Sequence, residues 1–375
     1  MKSILYVGMD VHTSNYTLCC YSIEKDEIFA TVQMPPELKS ILKYLNQIKS
    51  NHAECDLLCG YEAGVLGYTL HRQLFAHGID CVILAPSTMV NTSNRNVKTD
   101  KRDAANIARN LAYRTYSPVY IPTEEDNAVK EYIRMRDDAR EALKTLKRQI
   151  LSFCTRNNKY FTEGRSYWTL KHIAWLDKLE FDNKLLQETF DESLISYRQG
   201  ADKVARLDRR IEELAYTDSY EDRVRKLICL IGIKAHTALA TIVEIGDFQR
   251  FAKAEQFASY LGLVPGEDSS GTSIRRTGIT KAGNSHVRRL LIEAAQCYGR
   301  GAVGAKPKTL SIRQAGNDPK VIAYADRANE RLRRKCYKIM FRSKRNIAVT
   351  AVARELACFI WGMMTENFDR VNTVS

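Results

Sequence analysis

The chain has 375 residues, 45% of them hydrophobic and 27% charged, an ordinary globular composition with material for two or three domains. A formal net charge of +13 and a pI near 9.2 disfavour an acidic or neutral scaffold and fit a polyanionic partner. No apolar run reaches bilayer-crossing length and no leader pattern opens the chain, so a cytoplasmic protein without membrane contact is expected.

Residues 3–11 (SILYVGMDV) predict a strand. Residues 16–23 and 27–34 predict two antiparallel strands joined by the turn EKDE. A proline-led helix follows, with Leu38, Ile41, Leu42, Leu45 and Ile48 on one face. Residues 56–63 (DLLCGYEA) form a buried strand, residues 65–78 a helix stopped by Gly78, and residues 79–86 another buried strand. Residues 99–114 (TDKRDAANIARNLAYR) form a helix. The order β-β-β-α-β-α-β-α predicts an α/β domain with one mixed sheet and helices on its faces.

Residues 115–123 carry two prolines and predict a linker. Thr123 then caps a long helix opened by three acids. Its apolar positions run Val129, Tyr132, Ala139, Leu143, Leu146, Ile150, Phe153. A second long helix over 184–216 carries a matching seam, interrupted at Asp208. With the Trp-containing stretch 167–176 between them, the two predict a helical coiled-coil arm. Three regions result: 1–122, 123–221 and 222–375. In the last, mostly α, residues 224–246 hold two helices around a tight IGI turn. This suits either a helix-hairpin-helix, gripping a phosphate with backbone N–H groups, or an ordinary αα-hairpin. From Arg300 to Arg345 there are 14 Lys or Arg against 3 Asp or Glu, which predicts a nucleic-acid surface. The ten cysteines are scattered through apolar segments, as free buried thiols are in a reducing compartment. The CDLLC pair lacks the partners of a zinc site.

Four carboxylates stand out. Asp10 ends the first strand and Glu62 the fourth, while Asp100 and Asp103 share one face of the helix that follows. Brought together, such charges repel by roughly 4 kcal/mol per pair at an effective dielectric near 20. A divalent cation resolves the repulsion, and oxygen ligands favour Mg²⁺ or Mn²⁺. Lys98, Lys101 and Arg102 beside them suit a bound phosphate backbone. His12, His71 and His236 read as structural. Lys281, Asn284, His286, Arg288 and Arg289, at the start of a helix, suit either phosphate contact or a solvated face.

The element order with these four acids resembles the RuvC-type RNase H fold of Holliday-junction resolvases. The segments YEAGVLGY, VKTDKRDAANIAR, WTLKHIAWL, YLGLVPGEDSSG, GITKAGNSHVRRLLIEAA and AVARELACFIW, in that order, resemble the DEDD transposases, insertion-sequence recombinases whose characterised members use a bridge RNA. The resemblance implies an N-terminal RuvC-like domain, a coiled-coil arm and a C-terminal transposase domain. It implies that Asp10, Glu62, Asp100 and Asp103 hold Mg²⁺ (or Mn²⁺), and that a serine of the SSG element is the nucleophile. That serine is assigned as Ser270, with Ser269 the alternative, and Asp268 is a local candidate to activate it. Because acids and serine fall in different domains, a composite site is implied, formed within one chain or between subunits. The run GTSIRRTG departs from the glycine- and arginine-richer family pattern, which leaves either Arg275 or Arg276 for the scissile phosphate.

The implied partners are donor and target DNA, a guide (bridge) RNA, and further copies of the chain as a homodimer or homotetramer. The implied setting is the bacterial or archaeal cytoplasm, at the nucleoid when active. Two alternatives stay open: a structure-specific endonuclease with water as nucleophile, and a non-catalytic architectural protein.

Overall fold

The computed structural model describes residues 3–90, 99–267 and 276–368. The chain divides into two compact units, Met1–Ile121 and Pro122–Ser375.

The first unit is a five-stranded sheet with helices on both faces. Its elements are β1 (Ile4–Val11), β2 (Tyr16–Ser22), β3 (Glu27–Met34), α1 (Leu38–Asn51), β4 (Asp56–Glu62), α2 (Thr69–Ala76), β5 (Cys81–Leu84) and α3 (Asp100–Tyr113). The order is the one expected. The strands lie β3-β2-β1-β4-β5, with β1–β2 and β2–β3 antiparallel and β1–β4 and β4–β5 parallel. Helix α2 starts at Thr69 rather than at Val65, because residues 64–67 turn through Gly67 at φ +57°.

One face of the sheet packs Leu5, Val7 and Met9 against Ile41, Leu45, Leu70 and Leu74 of α1 and α2. The other receives α3, through Cys19 and Tyr21 against Ala104 and Ala108, and Leu84 against Ile107 and Leu111. Two glycines permit the close approach of α3. A Cβ on Gly8 would sit 2.0 Å from the Ala104 carbonyl oxygen and 2.5 Å from the Ala108 nitrogen. One on Gly60 would sit 2.8 Å from Leu84 and Leu111 side chains. The contact at Gly8 is with backbone, which cannot rotate away. Gly8→Ala is therefore expected to lower stability by about 1–3 kcal/mol, measured as an earlier urea midpoint with unchanged slope. Gly60→Ala, which meets only side chains, is expected to cost less.

The second unit is almost wholly helical. It comprises α4 (Glu124–Arg156), α5 (Leu170–Leu176), α6 (Lys184–Ala215), α7 (Glu221–Leu227), α8 (Ala235–Ile245), α9 (Ala254–Tyr260), a two-stranded ribbon of β6 (Pro265–Glu267) and β7 (Arg276–Ile279), α10 (Ser285–Ala295), α11 (Lys308–Gln314), α12 (Pro319–Met340) and α13 (Arg345–Met364). Thr123 caps α4 as its sequence implies, its Oγ1 accepting from the Asp126 N–H at 3.0 Å.

Helices α4 and α6 pair antiparallel. Ile150 and Cys154 cluster with Phe190, Leu194 and Tyr197 at one end, closed over by Trp168 and Trp175. Val129 and Ile133 join Ile211 and Ala215 at the other end, inside the main core of the unit. Helix α13 is long and apolar enough to cross a membrane, contrary to the expectation that no such run exists. It lies mostly buried at the centre of that core, which accounts for its composition.

The IGI turn joins α7 to α8. Gly232 adopts φ +82°, and a Cβ there would meet the Ala294 carbonyl oxygen at 2.3 Å. Its neighbours' amides are committed internally, Ile231 N–H to Asn329 Oδ1 at 2.9 Å and Ile233 N–H to the Leu230 oxygen. Those two N–H groups are not free for a phosphate, which favours the plain αα-hairpin of the two sequence readings.

Candidate functional site

In the first unit the glycine contacts place the acids. Gly8 lies under Ala104 and Ala108. Asp10 is two residues further along β1, hence on the same face of the sheet. Asp100 is one turn before Ala104, so the first turn of α3 comes down beside Asp10. The parallel register Gly8↔Gly60, Met9↔Tyr61 brings Glu62 alongside Asp10 at the same strand ends. Thr99 caps α3, accepting from the Arg102 N–H, and leaves Asp100 and Asp103 in the first turn.

Asp10, His12 and Asp100 bring one ligand atom each within 4.8 Å of one another. His12 Nε2 is 3.1 Å from Asp10 Oδ1, and Asn15 Nδ2 donates to Asp100 Oδ2 at 3.4 Å. Glu62 and Asp103 fall outside this group of three, and the Glu62 side chain is exposed. Burial pushes the Asp10 carboxyl above its ordinary range; His12 pulls it back, and Asp103 and Asp100 push it up further. Asp10 Oδ2 is buried without a hydrogen-bond partner among the described residues. An orphaned carboxylate oxygen among other acids fits a cation, which would satisfy the lone pairs and screen the repulsion.

His12 is the residue that sequence reading assigned a structural role and the structure moves into the acid cluster. Its signal was present: two positions after Asp10 on an extended chain, it shares the face of Asp10. Lys101 and Arg102 are exposed beside the acids. Lys98 lies outside the described residues.

The second unit holds a polar network that sequence reading missed. Asp137 of α4 is 8% exposed. It accepts from Arg136 Nη1 at 2.9 Å, from Arg289, and from His286 Nε2 at 2.7 Å, with His236 Nε2 at 3.1 Å. Glu244 of α8, its side chain 3% exposed, accepts from Arg134 Nε at 2.8 Å and Asn284 Nδ2 at 2.9 Å, and lies 3.0 Å from His286 Nδ1. Burial opposes ionisation of both carboxyls. The neighbouring His236 and His286 imidazoles hold Asp137 far below the carboxylate range, and hydrogen bonds from His286, Arg134 and Asn284 bring Glu244 down to about 2. His286 is pushed down by burial, but bonds to Asp137 and Glu244 outweigh this and raise it. An acid in the apolar run TIVEIG was the available signal for Glu244, by the reasoning that flagged Asp10.

Four residues proposed for phosphate contact thus have internal partners. His286 and Arg289 belong to the network. Asn284 caps α10 through Val287 N–H, and Arg288 donates to the Leu261 and Ala282 oxygens. Lys281 is exposed. Arg276 begins β7, whereas Asp268, Ser269, Ser270 and Arg275 lie outside the described residues.

Comparison with known proteins decides the family. Residues 7–156 match a profile for IS110-type DEDD transposases, and residues 224–301 one for transposases of the IS116/IS110/IS902 family. The chain is 31% identical to a transposase for insertion sequence element IS1533 of Leptospira borgpetersenii, over 89% of this chain and 96% of the relative. It is 34% identical to the putative transposase y4qE of Sinorhizobium fredii, over 82% of this chain and 75% of the relative.

The chain belongs to the IS116/IS110/IS902 family of transposases.

It is accordingly a DNA-cleaving and DNA-joining enzyme, and the first matched segment contains Asp10, His12, Glu62, Asp100 and Asp103. The second contains the SSG element, Asn284, His286 and Arg289. In this IS110-type transposase the acid cluster therefore falls within one family segment and the candidate serines within the other.

Proposed function

We propose that the chain cuts and rejoins DNA for insertion-sequence mobility through a serine nucleophile assisted by a divalent metal ion, with guide-RNA pairing choosing the sites. The observation that carries this is the cluster of Asp10 with Asp100 and His12 at the strand ends of the first unit, with Asp10 Oδ2 buried and unsatisfied. Asp10, Glu62, Asp100 and Asp103 would hold Mg²⁺ or Mn²⁺, and His12 either joins them or orients Asp10. The ion, when bound, supplies positive charge against the scissile phosphate and the departing oxygen.

The rest falls to the chain's own groups. Ser270 Oγ bonds to phosphorus as its proton passes to a neighbouring base, for which Asp268 is the local candidate. The P–O bond to one strand end breaks, and that oxygen takes up a proton. The phosphoserine ester conserves the bond, so that a later strand end can displace the serine and restore a phosphodiester. Arg275 or Arg276, with Lys281, Lys98, Lys101 and Arg102, bind backbone phosphates. The paired α4 and α6 support the coiled-coil reading, and holding two DNA partners calls for a homodimer or homotetramer. Base pairing to an RNA would leave the protein to grip shape and backbone.

The test is a denaturing gel for a covalent protein–DNA adduct with wild type, Ser270→Ala and Ser269→Ala, supplied with co-purifying RNA. Wild type and Ser269→Ala are expected to form the adduct and Ser270→Ala to lose it. Loss only in Ser269→Ala moves the nucleophile by one residue. Cleavage by Ser270→Ala at the wild-type rate, with no adduct in any sample, sinks the serine mechanism in favour of hydrolysis by water.

A further inference from the structure

Two cavities in the second unit share the turn between α7 and α8. The first, of about 650 Å³, lies between the α4/α6 pair and the first turn of α8. Its cationic walls are Arg136, Arg140, Lys144, Lys147 and Lys234, and its one carboxylate, Asp208, already accepts from Arg136. Arg140 and Lys234 are exposed, and their side chains form no ion pair or hydrogen bond among the described residues. The start of α8 has no side-chain cap, which adds a positive helix end to the same wall.

The second cavity, of about 460 Å³, lies on the other side of Gly232 and Lys234. Arg300, Lys306, Arg313 and Arg333 line it with Lys234, and no carboxylate does among the described residues, although Lys306 reaches out to Asp326 at 2.8 Å. Arg333 is 4% exposed, and its Nε is buried with no partner among the described residues. Its Nη1 holds the Ala302 and Ala305 oxygens, and Arg313 holds the Ile233 oxygen. These two guanidiniums are fixed by backbone carbonyls while their charge meets no anion in the cavity. Arg333 is buried and Arg313 half-buried, and cations in that state are costly and call for a counter-charge from outside.

A lone anion would satisfy one cavity. Two cation-lined cavities joined at Lys234 match an anion that repeats. We infer that the two cavities form one continuous track for successive phosphates of a nucleic-acid strand, gripped without reference to its bases. This rests on the proposed function and adds to it a surface on α4 and at the α7–α8 turn, away from the SSG element and the acid cluster in sequence. It also restores a phosphate-binding role to the hairpin, by the Lys234 side chain and the cavities beside it instead of the turn's own amides.

The experiment is oligonucleotide binding by fluorescence anisotropy over a salt series, with single-stranded RNA, single-stranded DNA and duplex DNA in separate arms. The full-length Arg140→Gln/Lys234→Gln variant removes two cations that have no internal partner, so folding should match wild type by circular dichroism. Lys39→Gln/Lys43→Gln on α1 removes equal charge elsewhere. The slope of log K against log salt is expected to fall by about 1.4 for a single strand or about 1.8 for a duplex in the track variant. The arm that shows the fall names the strand. Unchanged slopes in all three arms, or an equal fall in the α1 control, overturn the track while leaving the transposase reading standing. A wild-type chain that binds no oligonucleotide overturns both.

Discussion

Asp10→Asn is expected to slow DNA cleavage by about 10²–10³-fold, the usual cost of losing one electrostatic stabiliser of a transition state. The fold is expected to survive it. Asp10 is an acid whose carboxyl is pushed up by burial and by Asp103 and Asp100 against the pull of His12. The sign follows: an acid with a raised folded pKa costs stability once pH exceeds its unfolded value, so at neutral pH the neutral amide relieves a strain. The melting temperature of the metal-free variant should equal or exceed that of wild type. Adding Mg²⁺ or Mn²⁺ should raise the wild-type melting temperature, by the equivalent of about 2.7 kcal/mol at a hundred times the dissociation constant. Asp10→Asn should not respond. A variant that melts well below wild type without metal would mean that Asp10 is a structural anchor.

Removing Asp137 is expected to have the largest effect on stability. Asp137→Ala strips the carboxylate from Arg136, Arg289, His286 and His236 at once; Asp208, Glu293 and Glu244 remain to the first three, and His236 keeps no acid partner among the described residues. Breaking a buried pair from one side costs about 3–5 kcal/mol, and chemical denaturation at pH 7 would measure it. The same network sets a pH window. Glu244 is held at about 2 against an ordinary value of 4.5, so its contribution is complete above 4.5 and is lost as pH falls towards 2. At one pKa unit per 1.36 kcal/mol that loss is about 3 kcal/mol. His286 is raised above its ordinary 6.5, so its contribution is complete below 6.5 and is lost as pH rises through the folded value. Stability should therefore peak between these limits, and Glu244→Gln should flatten the acid limb. An acid limb identical in wild type and Glu244→Gln would remove Glu244 as its cause.

Much of the first unit was legible because its strands are short apolar runs bounded by turn residues, and its helices carry a clear 3.6-residue face. Each element could be placed from its own neighbours. Asp10 and Glu62 stand out in the sequence because a carboxylate at the end of a buried strand is a local anomaly, whereas the meeting of Asp10 with Asp100 and His12 depends on how α3 packs on the sheet. His12 was overlooked because an exposed histidine after a strand is locally unremarkable. Its relation to Asp10 depends on alternation along β1 and on how the strand end meets α3.

The second unit was harder. Asp137 sits in a charged stretch of α4, where one more acid is no local anomaly, and His286 and Arg289 suit phosphate contact or a solvated face equally in the sequence. Only packing brings α4, α8 and α10 together and turns those side chains toward one another. The reverse holds for Arg140 and Lys234, which are 94 positions apart along the chain and share one cavity wall.

The sequence by itself determined the α/β character of the first unit, the helical character of the second and the net positive charge, because these follow from local periodicity and composition. The tertiary structure decided which charges are neutralised. Arg289 and His286 meet internal acids, whereas Arg140, Lys234 and Arg333 face cavities that offer them no unpaired carboxylate among the described residues. That distinction depends on distances between residues far apart in the chain, and electrostatic energy falls with distance in space, not with separation in sequence.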